Sequence, residues 1–290
     1  MAHHHHHHMS QEITLGNIKI GGNNPVFIIA EAGLNHGGDL NLALRMIDEA
    51  ADAKANAIKF QAYNSEERFG ENKEAVNLVK PAEFGKKEFL LLKERSQKKN
   101  ILFFATPFDV PNLNMLKEIG VEILKIASCD ICNITLLEAA ADSGLIVILS
   151  RGTASASEIE TAVSIFKKKK SPFILLHCVS SYPMNEIDAN LSAIQTLKSK
   201  YEFPIGYSDH SKGIEIPLLA VASGAEIIEK HYTVDRTLQG IDWEISAEPK
   251  ELAKLVTETE RIRKILGHGK LEPQASEQEE IEYRNSLRRK

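Results

Sequence analysis

The chain has 290 residues, 43% of them hydrophobic and 26% charged, with a formal net charge of -5. It can bury a sizeable core, and it has no basic excess with which to bind a nucleic-acid backbone. No apolar run approaches the roughly 20 residues of a membrane span, and three cysteines are too few for a disulfide framework, so the expectation is a cytoplasmic protein with no membrane partner.

Residues 1–9 hold six consecutive histidines, His3 to His8, and read as an expression tag. Five of the 11 histidines remain to be explained. After the tag, short β-rich apolar runs at 26–30, 57–60, 101–105, 122–127, 146–149, 173–178, 204–207 and 226–231 alternate with helix-like stretches. The helical stretches are 40–54, 86–99, 111–119, 134–143, 156–169, 189–200, 214–223 and 249–266. Continuous Val/Ile/Leu runs between helices describe parallel strands covered on their outer face. Eight such units predict an α/β fold, a (β/α)8 TIM barrel over residues 10–270, with a doubly wound open sheet as the rival. Residues 271–290 form a C-terminal tail. The polar stretch 63–85 exceeds ordinary βα-loop lengths and suggests a lid or a partner contact.

In such a barrel the chemistry sits where the strands end, and here each strand ends in polar residues. The first ends in Glu31, Asn35 and His36, the second in Lys59 and Gln61, the third in Thr106 and Asp109. The fourth supplies Lys125, Ser128 and Asp130, the fifth Ser150, and the sixth His177, Ser180 and Tyr182. The seventh gives Ser208, Asp209 and His210, and the eighth Glu229, Lys230 and His231. Four of the five remaining histidines thus fall at one rim, which favours a shared site. Side chains two apart on a strand share a face, so Lys59 goes with Gln61, Ser208 with His210 and Glu229 with His231. His210 and His231, on neighbouring strands, could hold one divalent metal or be hydrogen-bonded core residues. Lys59 and Lys125 with the rim hydroxyls could form an anion pocket. Alternatively, either lysine could pair with Glu31 or Glu229, or one could be a Schiff-base nucleophile. The CxxC of Cys129 and Cys132 lacks the second pair of a zinc site, and Lys167–Lys170 reads as a solvated helix end.

The stretches "IIAEAGLNHGG", "AIKFQ", "FFATPFD", "EILKIAS", "HCVSSYP", "GYSDHS", "IIEKHYTVDR" and "GHGKLEP", in this order, resemble the N-acetylneuraminate (sialic acid) synthase family. The resemblance implies a (β/α)8 barrel that uses Mn2+ or Mg2+ to condense phosphoenolpyruvate with N-acetylmannosamine or a related amino sugar. The products would be a nonulosonic acid and phosphate, and the enzyme a homodimer. It implies His210 and His231 as metal ligands, and Lys59, Thr106, Lys125, Ser128, Ser150, Ser180 and Ser208 as binders of phosphoenolpyruvate. Glu31, Gln61, Asp130, Tyr182 and Asp242 would line the sugar and the reacting centres, with Glu31, Asp130 and Asp242 in catalytic roles. Family members commonly continue into an antifreeze-like domain. This chain ends at "YRNSLRRK", so 271–290 is expected to be a tail or a truncated linker. Alternatives are a 3-deoxy-octulosonate 8-phosphate synthase-like enzyme, a Schiff-base aldolase and a non-catalytic sugar-binding barrel.

Overall fold

The computed structural model describes residues 10–288; the tag at 1–9 and residues 289–290 lie outside the described residues. A short antiparallel hairpin comes first, β1 (Ile13–Leu15) and β2 (Ile18–Ile20), joined through Gly16 and Asn17. Gly16 has a φ of 60°, the left-handed backbone that such a tight turn demands. The sequence reading passed over this hairpin because each strand is only three residues long.

Eight parallel strands then close into a barrel: β3 (Phe27–Gly33), β4 (Ala57–Ala62), β5 (Leu102–Pro107), β6 (Ile123–Ile126), β7 (Ile146–Ser150), β8 (Phe173–His177), β9 (Ile205–Asp209) and β10 (Ile227–His231). Strand β10 pairs with β3, so no edge is left open. Each strand is followed by a covering helix: α1 (Leu40–Asp52), α4 (Lys86–Lys98), α5 (Val110–Glu118), α6 (Ile134–Asp142), α7 (Ala156–Lys168), α8 (Ser192–Lys200), α9 (Glu215–Ala222) and α10 (Pro249–Leu266). The order matches the (β/α)8 expectation, and the open sheet is set aside. Helix α1 shows the local logic: Asp39 caps it by accepting from the Leu42 N–H, and Ala43, Met46, Ile47 and Ala50 recur at helical spacing on the buried face.

Alternation along the strands separates two cores. Residues such as Ile28, Ile58, Leu124, Val147, Leu175 and Ile228 pack outward against the helices. Phe27, Ile29, Ala57, Phe104, Ile148, Leu176 and Ile227 fill the barrel, and Ile20 joins them from the hairpin, with Ile13, Leu15 and Ile18 packed alongside. The hairpin therefore covers the N-terminal end of the barrel.

The stretch 63–85 is an ordered cap, with α2 (Ser65–Phe69), α3 (Lys73–Val79) and a 3-10 turn (Lys80–Ala82). Asn64 and Asn72 cap the two helices, and the Tyr63 hydroxyl donates to the Val79 carbonyl at 2.6 Å. Gly38 lets the cap dock: a Cβ at this position would sit 1.9 Å from the Pro81 oxygen. Beyond the barrel, α11 (Gln278–Leu287) buries no residue.

Candidate active site

Strand register assembles the site. His231 pairs with Glu31, and Glu31 with Lys59, across three adjacent strands, while Ser208 lies beside Glu229 one layer below. Each inward series starts apolar and ends polar: Phe27, Ile29, Glu31 on β3 and Ile227, Glu229, His231 on β10. The polar ends line a cavity of about 500 Å³ at the C-terminal face.

At its floor two ammonium groups meet two carboxylates. Lys59 Nζ lies 2.8 Å from Glu31 and 3.1 Å from Glu229, and Lys125 Nζ lies 3.1 Å from Glu229. Lys59 also donates to Thr106 at 2.8 Å, and Ser208 to Glu229 at 2.7 Å. Of the alternatives for these lysines, the pairing with Glu31 and Glu229 is the one formed in this structure. All four charges are almost wholly buried, an arrangement tolerable only because each ion has an opposite neighbour. Burial pulls on Lys59, but Glu229 and Glu31 outweigh it and hold the lysine above its ordinary range. Burial pulls Lys125 below that range. Glu229 is held low against burial by Lys125 and Lys59. Glu31 goes the other way: burial, opposed by Lys59 and aided by Glu229, pushes it up to about 7.

Hydroxyls surround this quartet. Ser128 and Ser180 lie 3.1 Å apart, and among the described residues the buried Ser150 hydroxyl has no partner better than the Cys178 sulfur. Gly152 keeps this wall open, since a Cβ there would lie 2.2 Å from the Ser180 hydroxyl and 2.9 Å from Cys178 Sγ. Gln61, Tyr182 and Asp242 complete the predicted residues that line the cavity.

The rings of His210 and His231 stand 5.5 Å apart, centroid to centroid. His210 Nδ1 is 2.6 Å from the Val179 carbonyl; a carbonyl only accepts, so Nδ1 carries the proton and Nε2 keeps its lone pair. His231 Nδ1 is buried without a hydrogen-bond partner among the described residues, 3.6 Å from Asp242. Burial lowers both imidazoles, and for His231 the neighbouring His210 adds to the effect. Two neutral rings with unspent lone pairs beside a carboxylate are a donor set that suits a divalent cation. Among the described residues no group of three or more His, Cys, Asp or Glu side chains is arranged to hold a metal, so the fit rests on the imidazole pair.

Several expectations need correction. Asp130 is set back from the cavity lining: it ends a 3-10 turn, Asn133 donates to its Oδ1 at 3.3 Å, and its Oδ2 is buried without a hydrogen-bond partner among the described residues. His36 and His177 do not join the site. His36 stacks on Phe84 at 4.3 Å and accepts from Gly38, and His177 contacts the Ala189 carbonyl and Arg151 behind β8. Asp209 and Lys230 face the helices as a buried ion pair at 2.8 Å. Asp109 caps α5. Asn35 is buried and accepts from the Asp242 N–H while donating to Tyr232 and Ser246, which positions the Asp242 loop. Sequence reading missed Arg68, Phe69, Phe108, Thr153 and Cys178 in the lining. Phe108 follows Thr106 by two residues and Cys178 follows Leu176 by two, so the same alternation would have found both.

A sequence profile described as the NeuB family matches residues 46–271. The chain belongs to the NeuB family. It is 42% identical over 279 residues to an uncharacterized protein of Methanocaldococcus jannaschii, covering 96% of this chain and 83% of that one. It is 39% identical over 271 residues to the N,N'-diacetyllegionaminic acid synthase of Campylobacter jejuni, covering 88% and 81%. The crystal structure of the spore coat polysaccharide biosynthesis protein SpsE of Bacillus subtilis superposes with a TM-score of 0.82 at 33% identity, covering 91% of this chain and 75% of that one. These matches bear out the resemblance to the N-acetylneuraminate synthase family and make this NeuB-family chain an N-acetylneuraminate synthase-like enzyme.

Proposed function

We propose that this enzyme condenses phosphoenolpyruvate with an N-acetylated amino sugar, N-acetylmannosamine or a related hexosamine, to give a nonulosonic acid such as N-acetylneuraminate and phosphate. Relatives named as synthases of such acids support the reaction class. The observation that carries the reading is the buried Ser150 hydroxyl, which has no partner among the described residues better than the Cys178 sulfur, in the cavity that Lys59 and Lys125 also line: a polar donor in such a place is costly unless a ligand takes it.

In this reading Lys59, Lys125, Thr106, Ser128, Ser150, Ser180 and Ser208 hold the phosphate and carboxylate of phosphoenolpyruvate. Mn2+ or Mg2+ would be held by His210 and His231, and when bound it supplies Lewis acidity toward the sugar's carbonyl oxygen. Gln61, Tyr182 and Asp242 orient the sugar so that its aldehyde carbon faces C3 of the enol, which removes entropy from the barrier. Asp130 follows the lining residues Ser128 and Cys129, its Oδ2 is buried without a hydrogen-bond partner among the described residues, and it keeps its part in orienting the sugar. The C2=C3 π electrons form the bond from C3 to the aldehyde carbon as the aldehyde C=O opens and its oxygen gains a proton to become a hydroxyl. Water adds at C2 and loses a proton, and the C2–O bond to phosphate breaks as the C2 hydroxyl becomes the keto group and its proton leaves with the phosphate. Glu31, raised to about 7, carries a proton in the phosphoenolpyruvate complex, gives it to the aldehyde oxygen as the carbon–carbon bond forms, and as the carboxylate then takes one from the water. The proposed homodimer rests on the family resemblance, and light scattering reads it; the proposed cytoplasmic location rests on three cysteines too few for a disulfide framework. No helix of the described residues is long and apolar enough to cross a membrane.

Phosphate release with manganese, phosphoenolpyruvate and a panel of hexosamines tests the reaction. His231→Ala should abolish release, by about a hundredfold or more, while leaving the circular dichroism spectrum unchanged. Full activity of that variant, or of wild type in chelator, overturns the metal assignment. Borohydride trapping of a pyruvate adduct would instead support the Schiff-base aldolase.

A further inference from the structure

We infer that Arg68, in the cap, binds the acceptor sugar through an uncharged oxygen and sets which acceptor the enzyme takes; the inference rests on the condensation proposed above. Three cationic side chains of lysine or arginine line the cavity: Lys59, Lys125 and Arg68. The lysines lie at the floor, Lys59 paired with Glu31 and Glu229 and Lys125 with Glu229, in the layer assigned above to phosphoenolpyruvate. Arg68 has no carboxylate within 4 Å among the described residues. Its guanidinium carbon lies 3.5 Å from the Phe108 ring centroid and 5.4 Å from that of Phe69. One nitrogen, Nη2, is 3.4 Å from Cys129 Sγ, a weak acceptor. Stacking fixes the plane of the group and leaves most of its five N–H donors unspent along the edge.

The position is built. Helix α2 is anchored at its start, where the Ser65 N–H and hydroxyl both donate to Glu83 at 2.8 and 2.6 Å. Phe69 and Phe108 pack against Leu34, Tyr63, Val79 and Ala82. Phe108 comes two residues after Thr106, the partner of Lys59, so it lies about 6–7 Å further out along the strand direction. Arg68 therefore faces the layer above the lysines, where the second substrate must lie if phosphoenolpyruvate occupies the first. A phosphate on that substrate would meet one guanidinium and, across the cavity, the Asp242 carboxylate. A neutral amide carbonyl or hydroxyl oxygen suits a single stacked donor group better.

The experiment uses the full chain with manganese and N-acetylmannosamine, comparing wild type with Arg68→Ala and Arg68→Gln. Arg68→Ala should raise the acceptor KM by about ten- to hundredfold, leave the phosphoenolpyruvate Kd within twofold, and leave kcat at saturating acceptor within a few-fold. Arg68→Gln, which keeps a neutral donor, should recover part of the loss. An unchanged acceptor KM in a folded Arg68→Ala variant overturns the inference, as does a matching loss of phosphoenolpyruvate affinity. A preference for phosphorylated acceptor that Arg68→Ala removes and Arg68→Gln does not restore also overturns it, since it marks an anion site. Saturation-transfer NMR of N-acetylmannosamine on the phosphoenolpyruvate-loaded protein reads the same contact without turnover. A signal lost in Arg68→Ala supports the inference and an equal signal overturns it, so failure of the condensation itself is read separately.

Discussion

Ser150 presents a buried donor that the described residues leave unmet, and such a group costs about 1–3 kcal/mol until something accepts from it. Ser150→Ala should therefore leave the free protein as stable as wild type, or up to about 1 kcal/mol more stable, while weakening phosphoenolpyruvate by about tenfold. Thermal denaturation and a ligand titration read the two effects, and unchanged affinity would remove Ser150 from the site. Glu31 poses the converse problem. The quartet is balanced as it stands, two ammonium groups against two carboxylates, so a bound phosphate and carboxylate bring excess negative charge. Glu31, already pushed up to about 7, is the carboxylate best able to relieve it by taking a proton. Raising the pH through that value strips the proton and restores the repulsion, so phosphoenolpyruvate affinity should fall from pH 7 to 8.5. The ligand's own phosphate, with its second pKa near about 6, is by then almost fully ionised. Glu31→Gln should flatten the profile; a slope that survives in that variant belongs to another group.

At the level of whole strands, β9 and β10 carry two opposite polar sets. Ser208 and Glu229 face the cavity, whereas Asp209 and Lys230 are buried against the helices at 2.8 Å, with Lys230 also donating to the Ser211 carbonyl. Removing one member strands the other charge, so Lys230→Ala should cost about 3–5 kcal/mol of stability, measured by urea denaturation. A loss below about 1 kcal/mol would mean that water reaches the pair. The same alternation explains what could be read from sequence. Lys59 with Gln61, Ser208 with His210 and Glu229 with His231 were placed correctly because a strand repeats every two residues. His177 was not, since it adjoins the inward Leu176 and so turns outward; strict parity would have excluded it. His36, Asp130 and Arg68 lie beyond strand ends, in turns and the cap, where no period fixes direction and only tertiary packing decides. The hairpin and the cap helices were lost for a related reason: their strands and helices are too short to show a repeat.

Across the whole molecule, the barrel is filled by side chains from Phe27 and Ile227 upward to the charged layer, and β1 and β2 lie beneath. In the proposed arrangement, phosphoenolpyruvate at the lysines and the sugar above it, the first ligand could not enter once the second was in place. Binding should be ordered, phosphoenolpyruvate first, so a non-reacting acceptor analogue should inhibit uncompetitively against phosphoenolpyruvate. Competitive inhibition would show that the two ligands are not stacked in this way.

The stopper that Ile13, Leu15, Ile18 and Ile20 form under the barrel makes it a blind tube, a vessel with a single doorway. Whatever is made inside must back out past the same cap that admitted its precursors, and in the proposed reaction the new acid must clear the passage before the phosphate beneath it can follow.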